Sequence, residues 1–367
     1  MSKESSTVTI TEKLTKIKPS KTFNYHKGGS ITSLDFDDSG QYLISAGIDK
    51  SIQLYDVHKG THYKDIQSQK YGAHLARFTH KDLDCLYVST PSSVPGTDGA
   101  NGKIDESDKD LNAIRYLSLA DKKYIRYFRG HSDQVLSLEV DPVHDFFLTS
   151  STDGTVKLWD TKTPSCTGNI DVGQSSYVAY DPHGIVIVVA KIPNVSGDKN
   201  EYVEGELEFY DAKSLLKPFM TTKISTKSFK WNKVEFSNTG KLILISTDGN
   251  EHYIIDAFSG QLITILTTGS RTNEIRSNYP NYGSSCFTTD GKYVLVGSSN
   301  SSLSIFDLTN LKLTNGSEIV KESDNPKKLL PLKTIQSNQG VPRIVSFNPK
   351  LFTLATADNS VSLWQPS

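Results

Sequence analysis

The segment from residue 130 to residue 160 constrains the fold of this chain more than any other part of its sequence. A Gly130-His131 pair precedes a strand-like stretch, a second stretch ends in the turn Asp153-Gly154, and a third closes on Trp159-Asp160. An Asp-Gly pair favours a tight turn between strands, because glycine adopts positive φ without steric cost. The indole of Trp159 is large enough to pack one such sheet against a neighbouring one.

A chain of hydrogen bonds is predicted to hold this unit together. The indole N–H of a buried tryptophan needs a partner, which His131, Asp153 and a hydroxyl of the intervening strand, that of Thr149 or Ser151, can supply to Trp159. These residues at these offsets are the pattern of a WD repeat. One WD repeat cannot bury its own faces, so one clear copy predicts others.

Six further copies follow the same frame in a weaker form. Each combines an alternating apolar strand, a polar turn and a closing strand, and most of the closing strands end in an aromatic residue or an aspartate. The copies open at 31–36, 76–80, 178–184, 234–240, 286–291 and 344–349. The sequence therefore predicts an all-β fold, a single seven-bladed WD-repeat β-propeller.

The two ends of the chain are predicted to close the ring together. The last repeat ends at Trp364 with three strands, and a short strand within 21–25 would supply the fourth. We therefore expect residues 1–20 to be a flexible segment and residues 21–367 to form the propeller. Polar insertions at 91–110, 193–205 and 315–328 account for a repeat of about 49 residues, slightly longer than usual.

Composition excludes several classes of protein. The formal net charge of −1 indicates no general attraction to nucleic acid or to an anionic membrane. No apolar run is long enough to span a bilayer, and the N-terminus lacks the apolar core of a secretory signal. The three cysteines, Cys85, Cys166 and Cys286, are odd in number and widely spaced, which favours free thiols in a reducing compartment.

Motifs that carry catalysis are missing from the sequence. It has no glycine-rich phosphate loop, no paired-cysteine or zinc-protease motif and no nucleophile elbow. The acidic run 105–110 lacks the glycine and the terminal carboxylate of a calcium loop. Aspartates recur at repeat ends, which indicates turn residues. They are Asp160, Asp211, Asp256 and Asp307. We expect no enzyme activity, no metal and no cofactor.

One stretch, 122–129, interleaves cations with aromatic residues. It can be an outer strand whose Lys and Arg stems cover their own blade. It can also be an edge that docks a partner, because Tyr and Arg dominate interface hot spots. Strand alternation with Ile125 and Tyr127 facing the neighbouring blade would leave the opposite side outward. The predicted partner-binding residues are Arg115, Tyr116, Tyr124, Arg126 and Arg129.

Strings within several repeats resemble one family of propellers. They are 114–119, 123–128 with Gly130-His131, 240–247, 255–258 and 347–350. In these segments the chain resembles the eukaryotic Swd2-type WD-repeat proteins, and the resemblance covers nearly all of it after about residue 20. In fungi, the family is a subunit shared by COMPASS, which methylates a lysine of histone H3, and by the cleavage and polyadenylation factor with its phosphatase.

The resemblance implies a nuclear scaffold that acts in chromatin methylation, transcription termination and mRNA 3′-end processing. The implied partners are the N-terminal region of the methyltransferase catalytic subunit and a 3′-end-processing subunit. The phosphorylated tail of RNA polymerase II is linked to some members. No direct nucleic-acid or membrane partner is expected. The alternative is a substrate adaptor of a cullin ubiquitin ligase, but Lys162 stands where its Trp-Asp-x-Arg box needs arginine.

Overall fold

Seven antiparallel sheets form the blades of a β-propeller around a central axis. The computed structural model describes residues 9–27, 29–90, 110–194, 198, 201–270, 283–311, 326–338 and 340–367. Within them the chain forms 29 strands and one short helix. The prediction of an all-β, seven-bladed WD-repeat propeller is confirmed.

The elements follow the chain from blade to blade. The first two are α1 (Ile10–Thr15) and β1 (Ile17–Phe23). Blade 1 contains β2 (Ile31–Phe36), β3 (Tyr42–Gly47), β4 (Ser51–Asp56) and β5 (Thr61–Gln67). Blade 2 contains β6 (His74–Phe78), β7 (Asp84–Val88), β8 (Ile114–Ser118) and β9 (Lys123–Phe128). Blade 3 contains β10 (Val135–Val140), β11 (Phe146–Ser151), β12 (Thr155–Asp160) and β13 (Cys166–Asp171).

The remaining blades continue in the same order. Blade 4 contains β14 (Ser176–Tyr180), β15 (Val186–Lys191), β16 (Tyr202–Asp211) and β17 (Met220–Lys227). Blade 5 contains β18 (Trp231–Phe236), β19 (Leu242–Thr247), β20 (Glu251–Asp256) and β21 (Leu262–Thr267). Blade 6 contains β22 (Ser285–Phe287), β23 (Tyr293–Ser298) and β24 (Ser302–Asp307), then, after β25 (Lys327–Leu329), β26 (Lys333–Gln336). Blade 7 contains β27 (Ile344–Phe347), β28 (Leu354–Ala357) and β29 (Val361–Pro366).

The fourth strand of blade 7 comes from the other end of the chain. β1 pairs antiparallel with β29, in a register that places Ile17 opposite Pro366 and Phe23 opposite Val361. The ring therefore closes through an N-terminal strand, as the sequence predicts. The strand begins four residues earlier than the expected range 21–25 and ends two residues before its end.

The expectation that residues 1–20 are flexible is wrong for the part that the structure describes. The segment 10–15 is a helix that begins with a capping box, in which the side chains of Thr9 and Glu12 bind each other's backbone N–H groups. Leu14 is fully buried, in one cluster with Ile17 and Trp364. The segment is ordered because these apolar side chains cover the seam of blade 7.

The predicted insertions 91–110 and 315–328 lie largely outside the described residues, and so do residues 195–197, 199 and 200 of the insertion 193–205. Strands occupy the ends of two of them, because β16 begins at Tyr202 and β25 begins at Lys327. β25 pairs in parallel with β21 and becomes a fifth strand of blade 5. Its Lys328 Nζ lies 2.8 Å from Oε1 of the buried Glu251. This strand covers an edge that would otherwise leave backbone groups unpaired.

The middle strands of the blades are buried on both faces, because each blade packs between two neighbours. Every residue of β4, β19, β20 and β23 is buried. The outer strand β5 instead alternates between exposed and covered side chains. We call the surface formed by the loops after the first and third strands of each blade the lower face, and the opposite surface the upper face.

Candidate docking surface and the blade network

The predicted network of blade 3 is assembled around one hydroxyl. Oγ1 of Thr149 lies 2.7 Å from His131 Nε2 and accepts a 2.8 Å hydrogen bond from the indole of Trp159. His131 Nδ1 lies 2.8 Å from Asp153 Oδ2. Burial alone would raise the pKa of Asp153, but hydrogen bonds from His131 and Thr155 hold it well below its usual value.

Ser151 makes different hydrogen bonds from Thr149. Its hydroxyl donates to the carbonyl of Asp133 at 3.0 Å and accepts the backbone N–H of Asp153 at 3.1 Å. It therefore shapes the turn, while Thr149 connects histidine to tryptophan. Because Trp159 is completely buried, an unpaired indole N–H there would be costly, and this arrangement satisfies it.

Blade 1 contains an equivalent network that was not predicted from the sequence. His26 Nδ1 lies 2.9 Å from Asp49 Oδ1, and its Nε2 lies 2.7 Å from the hydroxyl of Ser45. The same hydroxyl lies 3.2 Å from Tyr55 Oη, which takes the place of the indole. The spacing of these residues could have predicted this network, because the histidine precedes the aspartate by 23 residues in blade 1 and by 22 in blade 3.

The strand-end aspartates serve local turns. Each uses Oδ1 to accept a backbone N–H two residues later, at distances between 2.8 and 2.9 Å. The donors follow Asp160, Asp211, Asp256 and Asp307.

Among the described residues there is no group of three His, Cys, Asp or Glu side chains that could hold a metal ion. No helix in the described part of the chain is long and apolar enough to cross a membrane.

Two predicted partner-binding residues are buried, which corrects their assignment to an exposed surface. Arg115 is 1% exposed, and its guanidinium carbon lies 4.2 Å from the ring centroid of Tyr71. It donates hydrogen bonds to Ser89 Oγ at 3.0 Å and to the carbonyl of Asp110 at 2.7 Å. Tyr116 is also 1% exposed. Arg115 therefore holds the upper-face loops of blade 2 together instead of reaching a partner.

The other three predicted residues remain accessible to different degrees. Tyr124 is 47% exposed, and its hydroxyl lies 3.0 Å from that of Tyr87. Arg126 is half-buried and donates to the carbonyl of Thr161 in blade 3. Arg129 is exposed, with its Nε 2.6 Å from Asp110 Oδ1. Arg126 thus bridges two blades, and Tyr124 is the most open aromatic residue of this edge.

The expected inward orientation of Ile125 is wrong. Tyr116 pairs with Arg126 and Leu117 pairs with Tyr124, so Ile125 is an additional residue in β9. A β-bulge of this kind breaks the alternation of side chains. Ile125 is therefore 44% exposed beside Tyr124, and Phe128 is the residue of this strand that enters the core. We call Tyr124, Ile125 and Tyr127 the blade 2 edge.

All three cysteines lie in covered positions. Cys85 and Cys286 are buried, Cys166 is partly buried, and all three are free thiols. Burial raises the pKa of Cys85 and of Cys286 far above the usual range, so neither thiol is reactive.

Lys162 stands at the position where the Trp-Asp-x-Arg box needs arginine. It extends from blade 3, and its Nζ pairs with Asp145 Oδ2 at 3.0 Å.

Comparison with known proteins agrees with this architecture. The family described as WD domain, G-beta repeat matches residues 17–56 and 122–160. A Schizosaccharomyces pombe protein named Set1 complex component swd2 is 31% identical, over 98% of this chain and 99% of its own length. The Saccharomyces cerevisiae COMPASS component SWD2 is 33% identical, over 92% of this chain and 91% of its own length.

A relative from an animal extends the same similarity. The Drosophila melanogaster WD repeat-containing protein 82 is 33% identical, over 92% of this chain and 90% of its own length. All three relatives are therefore matched along nearly their whole length, at 31–33% identity, so the similarity spans the ring. The chain belongs to the Swd2-type family of WD-repeat proteins.

Proposed function

We propose that this chain is a non-catalytic scaffold subunit of a nuclear histone H3 lysine methyltransferase complex of the COMPASS type. The observation that carries the proposal is the full-length similarity to two fungal proteins named as components of such complexes. In this role the propeller binds the N-terminal region of the methyltransferase catalytic subunit. The protein acts in the nucleus and turns over no substrate itself.

The physical properties of the ring support a scaffold. A propeller buries its repeats against one another and leaves two faces and seven outer edges for partners. The two histidine networks, those of His26 and His131, are buried between strands and stabilise the fold. The described residues contain no group suited to binding a metal. Nothing in this arrangement favours chemistry over protein binding.

The same scaffold is proposed to serve the cleavage and polyadenylation factor and its associated phosphatase. Resemblance to the family supports this second role, with a 3′-end-processing subunit as the partner and the phosphorylated tail of RNA polymerase II as a further contact. The cullin-adaptor alternative is less favoured, because Lys162 is paired with Asp145 and an ammonium group cannot replace a bidentate arginine.

The blade 2 edge is the proposed docking surface for one of these partners. Tyr124 and Ile125 are both exposed, and the bulge presents them side by side on an outer strand. Rigid aromatic side chains give large contact area at low entropic cost. The cation–aromatic contact of Arg129 with Tyr127, at 5.3 Å from the ring centroid, orders the upper end of this edge.

Affinity purification of the tagged protein followed by mass spectrometry tests the proposal. The natural chain should recover a histone methyltransferase and 3′-end-processing subunits, and its depletion should lower histone H3 lysine methylation. Tyr124→Ser with Ile125→Ser should reduce recovery of one partner at least tenfold, a loss of about 1.4 kcal/mol. The matched control is Tyr63→Ser, since Tyr63 is equally exposed, at 47%, on the outer strand of blade 1.

Three kinds of result would each contradict one part of the proposal. If the purified protein recovers a cullin ligase and no methyltransferase, the result would favour the cullin-adaptor alternative. Unchanged recovery with the double substitution, or an equal loss with Tyr63→Ser, would remove the blade 2 edge from the docking surface while leaving the scaffold role intact. Turnover of a methylated, phosphorylated or ester substrate by the purified protein at an ordinary enzymatic rate would overturn the non-catalytic assignment.

A further inference from the structure

On the lower face, asparagine side chains tie turns that follow a first strand to the next turn around the ring. In blade 5, the side-chain amide of Asn238 donates a 3.2 Å hydrogen bond to the carbonyl of Thr289 in blade 6. In blade 7, the side-chain amide of Asn348 donates to the carbonyl of Gly40 in blade 1 at 2.7 Å. A side-chain N–H group thus joins one blade to the backbone of its neighbour.

His80 makes a link of this kind from the turn of blade 2. It stands two residues after Phe78, the end of β6, as Asn238 stands two residues after Phe236, the end of β18. Its Nε2 lies 2.7 Å from the carbonyl oxygen of Asp141 in blade 3. Because a carbonyl oxygen only accepts hydrogen bonds, Nε2 must carry the proton of this bond.

The other ring nitrogen of His80 faces a second acceptor, in the opposite direction around the ring of blades. Nδ1 lies 2.7 Å from Oδ2 of Asp38 in the turn of blade 1. A carboxylate accepts hydrogen bonds, and a neutral imidazole has only one N–H group. The imidazolium form is therefore the one that can donate to both neighbouring turns at once.

The surroundings of the imidazole favour this charged form. Partial burial alone would lower the pKa of His80. The hydrogen bonds to Asp38 and to the carbonyl of Asp141 act in the opposite direction, and so do the negative charges of Asp38 and Asp145. The net result is a pKa above the usual value for histidine.

Charged groups from three blades surround this site. They are the carboxylates of Asp38 and Asp145 and the ammonium groups of Lys81 and Lys162. Lys162 pairs with Asp145 at 3.0 Å and offsets part of its charge. The carboxylate of Asp141 is turned towards its own loop, where Oδ1 lies 3.3 Å from Nδ1 of His144. Asp38 is therefore the carboxylate whose charge a variant at this site can test.

We propose that His80 is a protonation-dependent clasp between the lower-face turns of blades 1, 2 and 3. As an imidazolium, it donates a hydrogen bond to each neighbouring turn. After it loses a proton, it keeps one of these bonds and places a nitrogen lone pair against the other acceptor. The amide of Asn238 does not titrate, so the link between blades 5 and 6 is independent of pH. The inference does not depend on the proposed complexes.

The raised pKa fixes the sign of the effect on stability. Folded His80 keeps its proton at pH values where an unfolded histidine, which titrates near ~6.5, has lost it. The contribution of the clasp is therefore fully present below pH ~6.5 and is lost as pH rises through the pKa of folded His80. This dependence is opposite to that of the buried His252, whose pKa is lowered by burial.

NMR titration of the histidine rings in the full-length protein tests the inference. The resonances of His80 are those that disappear in His80→Asn, and in the natural chain they should titrate above pH ~6.5. Asp38→Asn removes the acceptor carboxylate and should move this titration to lower pH. The matched control is Asp82→Asn, which removes the same charge from an exposed position of the same loop and should leave the titration of His80 in place.

Urea denaturation then measures the clasp itself. The midpoint of His80→Asn should lie below that of the natural chain at pH ~6, and the difference should shrink towards pH ~9, because both proteins share the remaining titrating groups. Three findings would each overturn the inference. They are a titration of His80 at or below pH ~6.5, an equal response to Asp38→Asn and Asp82→Asn, and a midpoint difference that does not fall with rising pH.

Discussion

His26 and Asp49 stand in blade 1 in the arrangement that joins histidine and aspartate in blade 3. The imidazole Nδ1 lies 2.9 Å from the carboxylate in blade 1 and 2.8 Å from it in blade 3. In both blades the other ring nitrogen reaches a buried hydroxyl at 2.7 Å. The two networks therefore fix the loop that enters a blade onto the strands of that blade.

We expect His26→Ala and His131→Ala to have similar effects on stability. Each removes the partner of a buried hydroxyl and a carboxylate, so each should lower the free energy of unfolding by roughly 1–3 kcal/mol. Urea denaturation measures this loss. The control is His144→Ala, because the His144 side chain is 56% exposed and its removal should change stability by less than ~0.5 kcal/mol. A variant that keeps its stability and loses one partner would indicate a binding role for that histidine.

Truncation of Trp159 should be more severe. Trp159→Ala leaves a cavity between Phe128 and Phe147, which both pack on the indole, and should cost about 3–5 kcal/mol. Trp159→Phe keeps most of the volume and loses the hydrogen bond to Thr149. It should therefore be less destabilising, and denaturation of the two variants side by side checks the order. If Trp159→Phe were the more destabilising of the two, the hydrogen bond of the indole N–H would contribute more to stability than packing at this site.

Shortening the N-terminus should destabilise the ring in two steps. Deletion of residues 1–16 removes Leu14 from the core at the seam of blade 7 but keeps β1. Deletion of residues 1–23 also exposes the edge of β29, which then lacks its partner strand. Melting temperatures should fall for the first deletion and further for the second. Equal melting temperatures for the two shortened chains would contradict the role of β1.

The two arginines of the blade 2 upper face should behave differently. Arg115→Ala removes a buried guanidinium that binds Ser89 and the carbonyl of Asp110, so we expect a loss of about 2–3 kcal/mol. Arg129→Ala removes an exposed ion pair with Asp110, which is worth at most ~1 kcal/mol. Chemical denaturation of both variants provides the comparison, and similar losses would show that Arg115 is not structural.

Stability should decrease as pH falls below 6.5, and His252 should contribute to that decrease. Burial lowers the pKa of His252 to about 3 in the folded chain, whereas an unfolded histidine titrates near 6.5. Below pH 6.5 the unfolded chain binds a proton that the folded chain does not, so unfolding becomes more favourable. The contribution is fully present above that pH and should fall by about 2 kcal/mol at pH 5.

Substitution isolates this contribution. His252→Asn removes the titrating ring, so the difference in unfolding free energy between pH 7 and pH 5 should be about 2 kcal/mol smaller than in the natural chain. Burial likewise lowers the pKa of His74 to about 3, so the substituted protein should keep part of its pH dependence. An identical pH dependence in both proteins would mean that folding does not lower the pKa of His252.

The fold could be predicted because its signals are local. The turn at Asp153-Gly154, the closing Trp159 and the missing fourth strand after Trp364 are all readable within a short window of sequence. Thr9 and Glu12 are the capping-box residues of the helix at 10–15, but a short polar segment at this end of the chain favours a prediction of flexibility. The fifth strand of blade 5 carries no repeat signal, because its pairing with β21 depends on a long-range contact.

The candidate docking residues were harder to predict because burial is a tertiary property. Arg115 looks exposed in sequence, yet Tyr71 from the preceding connection closes over it. Ile125 looks buried by alternation, yet a single bulge turns it outward.

The pairing of β1 with β29 imposes an order on synthesis. The ribosome releases β1 long before its partner β29, because the seven blades lie between the two strands in the chain. At ~5–20 residues per second, the interval is on the order of tens of seconds. For that time the nascent chain carries an unpaired strand and an open ring, with apolar surface available to chaperones. The finished propeller can therefore form only after β29 has left the ribosome, and so can any complex that requires the closed ring.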